Sequence, residues 1–326
     1  MTRDFNVSLF QPEDAPDVCA LYREVYGEDF PLKYVYDPEA IVAQYDGIKH
    51  RTAMARLEGG ELAGMVSMFR SAPNPLLYEV GQLMVRKTYR KRGIAEELSK
   101  ATFNEFPTQV PVKGQFGEAL CNHTISQKMA EGYGLVPTAL ELEWLPTINF
   151  DNAETLERNI TLLMMFKTLE DEPREIFVHP AYAEFVKSTC SALAIDRRVQ
   201  TAITPGEGST QSSTNIIGDA GIATLTVSRV GADLGEVLAR FEAEAASYRR
   251  QVKVDVSQPG APWAVDIIRE NGFFLGGYLP LWFESDGIMM QKLPIPPDFS
   301  LPQFHSENGA AVMRAVKADF ERMERG

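Results

Sequence analysis

The sequence has only three cysteines in 326 residues, Cys19, Cys121 and Cys190, and no Cys-x-x-Cys spacing. An odd, scattered set of this kind excludes a disulfide scaffold and a cysteine zinc site. The four histidines, of which His50, His179 and His305 are widely scattered, show no HxxxH or HExxH spacing either. We therefore expect no metal cofactor.

Long apolar runs are also missing, since none approaches the roughly 20 residues needed to span a bilayer. The first ten residues, MTRDFNVSLF, lack the basic region and apolar core of a signal peptide. We therefore predict a cytoplasmic protein that has no membrane partner.

Positive charge is scarce, with 32 Lys and Arg against 45 Asp and Glu and a net charge of −13. Affinity for nucleic acid depends on basic residues that neutralise phosphates, so we expect no nucleic-acid partner. The length is about twice that of a typical domain, which predicts two domains.

Hydrophobic patterns predict alternating strands and helices over the first 145 residues, which indicates an α/β or α+β domain. The Gly59-Gly60 turn predicts a hairpin. The predicted strands are 5–10, 51–57, 62–70, 77–85, 117–121 and 136–145, and the predicted helices begin near 12 and cover 94–106 and 124–132.

The second half repeats the pattern of hairpin, helix, strand, helix and strand over residues 215–292. Helices are predicted over 234–250 and 263–271, and a flexible loop is predicted over 204–213. The helix ends at 131–135 and 269–273 are alike, which predicts a diverged internal duplication.

Residues 82–98 carry the clearest chemical signal, a strand that runs through a basic turn into a helix. Successive backbone amides at such a turn suit a pyrophosphate. Gly93 and Ala95 would let phosphate oxygens approach the backbone. The alternative is a solvated surface turn. Five basic residues make the segment a positive island in an acidic protein: Arg86, Lys87, Arg90, Lys91 and Arg92.

Residues 90–95 read Arg-Lys-Arg-Gly-Ile-Ala, which fits the pattern (Gln/Arg)-x-x-Gly-x-(Gly/Ala). This segment resembles the GNAT superfamily of acyl-CoA N-acyltransferases, and residues 122–129 with Gly134-Leu135 are similar to the family's next segment. The resemblance covers about residues 5–145. Residues 160–292 resemble a degenerate copy, and residues 231–238 lack the basic glycine turn, so we expect no second cofactor site there.

The resemblance implies two tandem GNAT-like domains, each with a mixed, mostly antiparallel sheet flanked by helices. The expected bounds are a catalytic domain over 1–147, a linker over 148–158, a degenerate domain over 159–296 and a C-terminal extension with a helix over 297–326.

The resemblance also implies acetyl-CoA or another acyl-CoA as cofactor. The backbone of Leu83, Met84 and Val85 would pair with the pantetheine arm, and His123 and Ser126 would lie near the cofactor. The pyrophosphate would be held by Arg90, Lys91, Arg92, Gly93, Ile94 and Ala95.

The implied reaction is direct attack of a primary amine on the thioester, with an amide near Val85 for the oxyanion. Glu79 is the first candidate for the general base and Glu118 the second; the alternative is that either carboxylate simply faces solvent. Many family members carry an acid tyrosine where this chain has Ala130. Tyr133 is nearby but displaced, which leaves His123 as the candidate acid or as a positioning residue.

Two other interpretations stay open, a non-catalytic acyl-CoA-binding or sensor protein and a nucleotide-binding module. The absent GxxxxGK[ST] pattern counts against the module. The aromatic run over 22–45 would either line an acceptor pocket or pack in the core. The acceptor is expected to be a small-molecule or peptide amine, and a homodimer is one expectation. Sequence fixes neither the acceptor nor the acyl chain length.

Overall fold

The computed structural model describes residues 4–28, 30–146 and 158–325. They form two compact units: unit 1 holds residues 4–117, and unit 2 holds 118–146 together with 158–325. The predicted linker, 148–158, lies outside the described residues except for Arg158. The predicted domain bounds stay a prediction.

Unit 1 is built on a sheet in the order β1-β2-β3-β4-β5. Neighbouring strands are antiparallel except for β4 and β5, which are parallel because a helix connects them. The strands are β1 (Phe5–Leu9), β2 (His50–Leu57), β3 (Leu62–Phe69), β4 (Leu77–Val85) and β5 (Gly114–Leu120), whose last three residues belong to unit 2; the helices are α1 (Ala15–Tyr26), α2 (Pro38–Gln44) and α3 (Ile94–Lys100).

Helices cover both faces of this sheet because each presents an apolar stripe. On one face, α1 buries Val18, Leu21 and Tyr22 at helical spacing in a core that includes Met54 of β2. On the other face, Ile94 of α3 belongs to a second core. The sheet of unit 1 is therefore the middle layer of three.

Unit 2 contains a sheet in the order β7-β6-β13-β14-β12-β11-β10 and a separate parallel pair, β8 and β9. Among the strand pairs described for that sheet, only β11 and β12 are parallel, and a helix again connects them. The elements are α4 (Ile125–Gly132), β6 (Val136–Leu145), β7 (Ile160–Thr168), β8 (Arg174–Phe177), α5 (Ala183–Leu193), β9 (Arg197–Gln200), β10 (Gln211–Ile217), β11 (Ile222–Arg229), α6 (Leu234–Glu244), β12 (Arg249–Asp255), α7 (Ala261–Glu270), β13 (Phe274–Leu279), β14 (Gly287–Lys292) and α8 (Glu307–Met323).

The predicted fold class is confirmed as regards its sheets, which are mixed, mostly antiparallel and flanked by helices. The individual elements differ from the predictions in three places. The helix predicted over 94–106 is α-helical only to Lys100 and continues as a π-helix to Glu105, before Pro107 enters a 3-10 turn. The helix predicted over 234–250 ends at Glu244, and part of the loop predicted over 204–213 is strand β10.

Strands β6 and β13 meet through a single backbone pair, Gly277 opposite Ala139. The carboxamide of Gln291 extends this connection. Its Nε2 donates to Leu140 O at 2.9 Å, and its Oε1 accepts from Leu142 N at 3.0 Å. One buried side chain thus satisfies backbone groups that would otherwise lose water without a partner.

Candidate functional site

Strand β4 contains a bulge in its second half. The register between β3 and β4 shifts between Met65 and Ser67, where the extra β4 residue is accommodated. Gln82 has φ of +59°, in the left-handed region that non-glycine residues seldom occupy. Bulges of this kind re-aim side chains and interrupt a ladder, often next to functional sites.

The parallel ladder between β4 and β5 is short. Its last pair is Glu79 with Phe116, and in the described ranges β4 makes no later ladder pair with β5. A Cβ on Gly117 would lie 3.0 Å from Val80 O, so a glycine permits this close approach. The backbone of residues 83–85 therefore forms an edge that an extended ligand could pair with.

The turn after β4 presents a run of unbonded amides. Lys91 has φ of +65° and Gly93 has φ of +81°, so the backbone of this turn switches between right-handed and left-handed conformations. Across the part of the chain that the structure describes, the amides of residues 91–95 donate to no protein acceptor, and helical bonding starts with Glu97 N to Gly93 O at 3.1 Å. Backbone of this kind forms a concave anion-binding surface.

The basic side chains of this turn are held in place around it. Arg86 pairs with Glu24, and Arg92 pairs with Asp4. Arg90 Nε donates to Val85 O at 3.2 Å, which holds its guanidinium at the end of β4. Three further cations belong to the turn, Lys87, Arg90 and Lys91, and they would attract a phosphate to this point.

Glu79, the first candidate base, is half-buried on β4, three residues before Gln82. Its Oε2 accepts a hydrogen bond from Ser71 Oγ at 2.6 Å. Glu79 therefore lies on the strand that leads into the amide-rich turn, and both belong to unit 1.

The other predicted site residues belong to unit 2. Glu118 is exposed on the last part of β5. His123 is half-buried, and burial lowers the pKa of its imidazole. His123 Nδ1 and Ser126 Oγ are buried atoms that find no hydrogen-bond partner among the described residues. His123 lies just before α4 and Ser126 lies in its first turn, three residues later.

Gln127 is a residue that the sequence analysis missed. Its Nε2 donates to His123 O at 3.2 Å and to Gln303 O at 2.8 Å, and its Oε1 accepts from His305 N at 2.9 Å. The loop that carries His123 is therefore fixed by a buried amide. The only signal in the sequence was a polar residue at helical spacing from His123.

A buried aromatic and polar cluster in unit 1 was also missed. The ring of His50 lies 3.9 Å from that of Tyr45 and 5.1 Å from that of Phe69, in stacked geometry. Burial lowers the pKa of His50 to about 4, although Asp46 and the side chain of Gln82 oppose this effect. The recurring aromatics over 22–45 were a signal, but His50 appeared merely scattered.

The turn between β11 and α6, in the second half, differs from the turn over residues 91–95 because its backbone amides are hydrogen-bonded within the protein. Residues 208–210 cover it, and a Cβ on Gly231 would lie 2.2 Å from Thr210 N. Its amides are consumed internally: Val230 N donates to Gln258 Oε1 at 2.8 Å, Gly231 N to Thr210 Oγ1 at 3.1 Å and Ala232 N to Gly208 O at 2.9 Å. This turn offers no comparable run of unbonded donors.

The described residues contain no group of three or more His, Cys, Asp or Glu side chains placed to hold a metal ion. No helix in 4–28, 30–146 or 158–325 is long and apolar enough to cross a membrane.

The bulged strand, the short parallel ladder and the amide-lined basic turn all lie in the first unit of the chain. Residues 15–109 match the model of the Acetyltransferase (GNAT) family, so the chain contains a GNAT acetyltransferase domain. No curated protein is similar enough to count as a match.

Solved structures with similarity cover about half of the chain. A spermidine/spermine N-acetyltransferase from Vibrio cholerae is 13% identical, with 50% of this chain and 94% of that chain covered and a TM-score of 0.40. An N-acetyltransferase from Staphylococcus aureus is 13% identical, with 51% and 99% covered and a TM-score of 0.41. A GCN5-related N-acetyltransferase from Kribbella flavida is 18% identical, with 51% and 98% covered and a TM-score of 0.39.

Proposed function

We propose that the chain is an acyl-CoA-dependent N-acyltransferase that transfers an acetyl group to a primary amine. The observation that carries the proposal is the run of unbonded amides over residues 91–95, at the end of a bulged strand. These donors suit a pyrophosphate, and the residues lie in the segment that matches the GNAT family.

The free edge of residues 83–85 supports a pantetheine arm beside β4. When bound, the acyl-CoA would supply the activated acyl group. We assign Arg90, Lys91, Arg92, Gly93, Ile94 and Ala95 to the pyrophosphate, Leu83, Met84 and Val85 to the pantetheine, and His123 and Ser126 to further cofactor contacts.

Glu79 is the proposed general base, because it is half-buried on β4 and ordered by Ser71. Its role is to accept a proton from the attacking amine, with Glu118 as the second candidate. His123 fits a positioning role better than an acid role, since its lowered pKa leaves the imidazole neutral at pH 7.

The proposal extends to the second half as a degenerate copy. Its support is that β11, α6 and β12 repeat the parallel strand-helix-strand arrangement of β4, α3 and β5. The occupied amides at Val230, Gly231 and Ala232 support a single cofactor site, in the first half. Cytoplasmic location, a lack of nucleic-acid and membrane partners, and a homodimer remain predictions.

Calorimetry with acetyl-CoA and matched glycine variants test the cofactor site. Gly93→Ala places a side chain at φ of +81° in the amide turn, and we expect at least a 10-fold weaker affinity because strain displaces the donors. Gly60→Ala is the control, because Gly60 has φ of +86° and equally open surroundings in a hairpin turn. No heat with acetyl-CoA at millimolar concentration, or equal affinity in both variants, would overturn the proposal.

A second candidate function is a non-catalytic acyl-CoA sensor, which Ala130 favours because it stands where an acid tyrosine is usual in the family. Measuring the release of free CoA thiol from acetyl-CoA in the presence of a panel of amines distinguishes the enzyme from the sensor. Binding without thiol release would support the sensor.

A further inference from the structure

The segment between β14 and α8, residues 293–306, contains no helix or strand, and we call it the C-terminal strap. The elements at its two ends are bonded to the second half of the chain. Strand β14 pairs with β12 and β13. Asp319 of α8 accepts hydrogen bonds from Tyr182 Oη at 2.7 Å and from Leu275 N at 2.8 Å. The C-terminal strap therefore starts and ends on elements that the second half holds in place.

Between these ends, the C-terminal strap is bonded to residues of the first half. Asp298 N donates to Glu143 Oε1 at 3.2 Å, and Glu143 is 3% exposed. Further along, Gln303 N donates to Cys121 O at 2.7 Å. Cys121 directly follows β5 and begins the loop that carries His123. The C-terminal strap thus connects the second half to this loop within unit 2.

Gln127 joins the C-terminal strap to the loop through one buried amide, since the residue is 0% exposed. Its Nε2 donates to Gln303 O at 2.8 Å, and to Leu120 O and His123 O at 3.2 Å each. Its Oε1 accepts from His305 N at 2.9 Å. The donors and the acceptor of one carboxamide are therefore shared between the loop and the C-terminal strap. Removing this amide would leave buried backbone groups without a partner.

The start of α4 has little else to fix its orientation. Within the described residues, the side chain of Thr124, which is the N-cap residue of α4, makes no capping hydrogen bond, and the first turn holds no acidic residue. His123 Nδ1 and Ser126 Oγ also find no hydrogen-bond partner there. A helix start is ordinarily stabilised by its cap. At α4, Gln127 and the C-terminal strap supply the contacts that a cap would otherwise make.

We infer that Gln127 is a positioning residue through which the C-terminal strap couples the second half of the chain to acyl-CoA binding. The inference rests on the proposed function, which assigns His123 and Ser126 to the cofactor. The C-terminal strap lies outside residues 15–109, which match the GNAT family, so the coupling is a property of the additional part of this chain. It gives the second half, whose own turn has occupied amides, a role at the single cofactor site.

Coupling of this kind is reciprocal. A docked C-terminal strap favours the loop conformation that binds acyl-CoA, and bound acyl-CoA favours the docked C-terminal strap. The contacts that carry the coupling form a continuous chain of hydrogen bonds from α8 to the loop, which is the physical connection that such a claim needs.

Calorimetry with acetyl-CoA on Gln127→Met tests the first direction. Methionine keeps the approximate length of the side chain, but it cannot donate to the carbonyls of His123 and Gln303. We expect an affinity for acetyl-CoA that is about 10-fold weaker, because the loop loses the contact that orients it.

Gln291→Met is the matched control, because Gln291 is 2% exposed and its amide makes the same kinds of bond. Its Nε2 donates to Leu140 O at 2.9 Å and to Leu275 O at 3.2 Å, and its Oε1 accepts from Leu142 N at 3.0 Å. The control should lose a similar amount of thermal stability and keep the wild-type affinity for acetyl-CoA. Equal weakening in both variants, or none in Gln127→Met, would overturn the inference and leave the proposed function standing.

Hydrogen exchange on the wild type tests the reverse direction and needs no variant to fold. Saturating acetyl-CoA should slow exchange at the amides of Gln303 and His305 about 10-fold more than at Leu142 N, which Gln291 holds. Equal slowing at the three amides would mean general stabilisation and would overturn the coupling. If acetyl-CoA gives neither heat nor protection in the wild type, the proposed function fails, and this inference fails with it.

Discussion

At the scale of single residues, His50 shows how burial sets a charge state. The imidazole lies between two aromatic rings and is 7% exposed, and burial lowers its pKa to about 4. In the unfolded chain the pKa would be about 6.5. The folded protein therefore holds His50 neutral at pH values where the unfolded chain would protonate it.

The sign of the pH effect follows directly. Between pH 6.5 and pH 4 the unfolded state binds more protons at this position, so the free energy of unfolding falls as the pH falls. From pH 7 to pH 5 this loss is about 2 kcal/mol for His50 alone. Urea unfolding of the wild type and of His50→Phe at both pH values measures it. The variant should lose about 2 kcal/mol less, and parallel pH profiles would contradict the assigned pKa.

At the scale of elements, the β11–α6 turn contrasts two glycines. A Cβ on Gly231 would lie 2.2 Å from backbone atoms of Ser209 and Thr210, whereas one on Gly235 in α6 meets nothing within 4 Å. Gly231→Ala should therefore cost about 3 kcal/mol in unfolding free energy, because backbone cannot yield as a side chain can. Gly235→Ala should stabilise by about 0.5 kcal/mol, since alanine favours helix. Equal melting temperatures would show that residues 208–210 do not cover the turn.

The elements also show what a sequence can reveal. The turn over 90–95 was predictable because its glycine, its charge and its flanking strand and helix are local features. The bulge at Gln82 was not, because it depends on the register against β3. Only the start of strand β12 was placed in the preceding helix, which was predicted to run to Arg250; the strand itself was expected, although Arg250, Gln251 and Lys253 are buried.

Long-range contacts account for the other features that the sequence did not reveal. Gln127 binds Gln303 across 176 residues of sequence, and Gln291 reaches Leu140 across 151. Neither distance leaves a pattern in a single sequence. His50 was overlooked for the same reason, because Tyr45 and Phe69 surround it only after folding.

At the scale of the whole molecule, β6 decides where the chain can be divided. Within unit 2, β6 lies between β7 and β13, and both of these follow residue 147 in the chain. A fragment that ends at the predicted boundary would leave both edges of a buried strand unpaired, which favours aggregation.

We therefore expect fragment 1–147 to aggregate or to lack a cooperative unfolding transition. A fragment over 1–172, which restores β7, should give more soluble protein, and the full chain should give the most. Size-exclusion chromatography and thermal unfolding measure the three side by side. A monomeric 1–147 fragment that unfolds cooperatively would instead support the predicted boundary.

The hydrogen bonds of Gln127 connect the loop that carries His123 to the stretch that leads into α8. A fused tag, a proteolytic cut or a surface that captures α8 would displace that stretch. It would therefore displace the loop as well. A preparation clipped near residue 303 would therefore lose a contact that holds the His123 loop, although this loop lies far from the cut in the sequence.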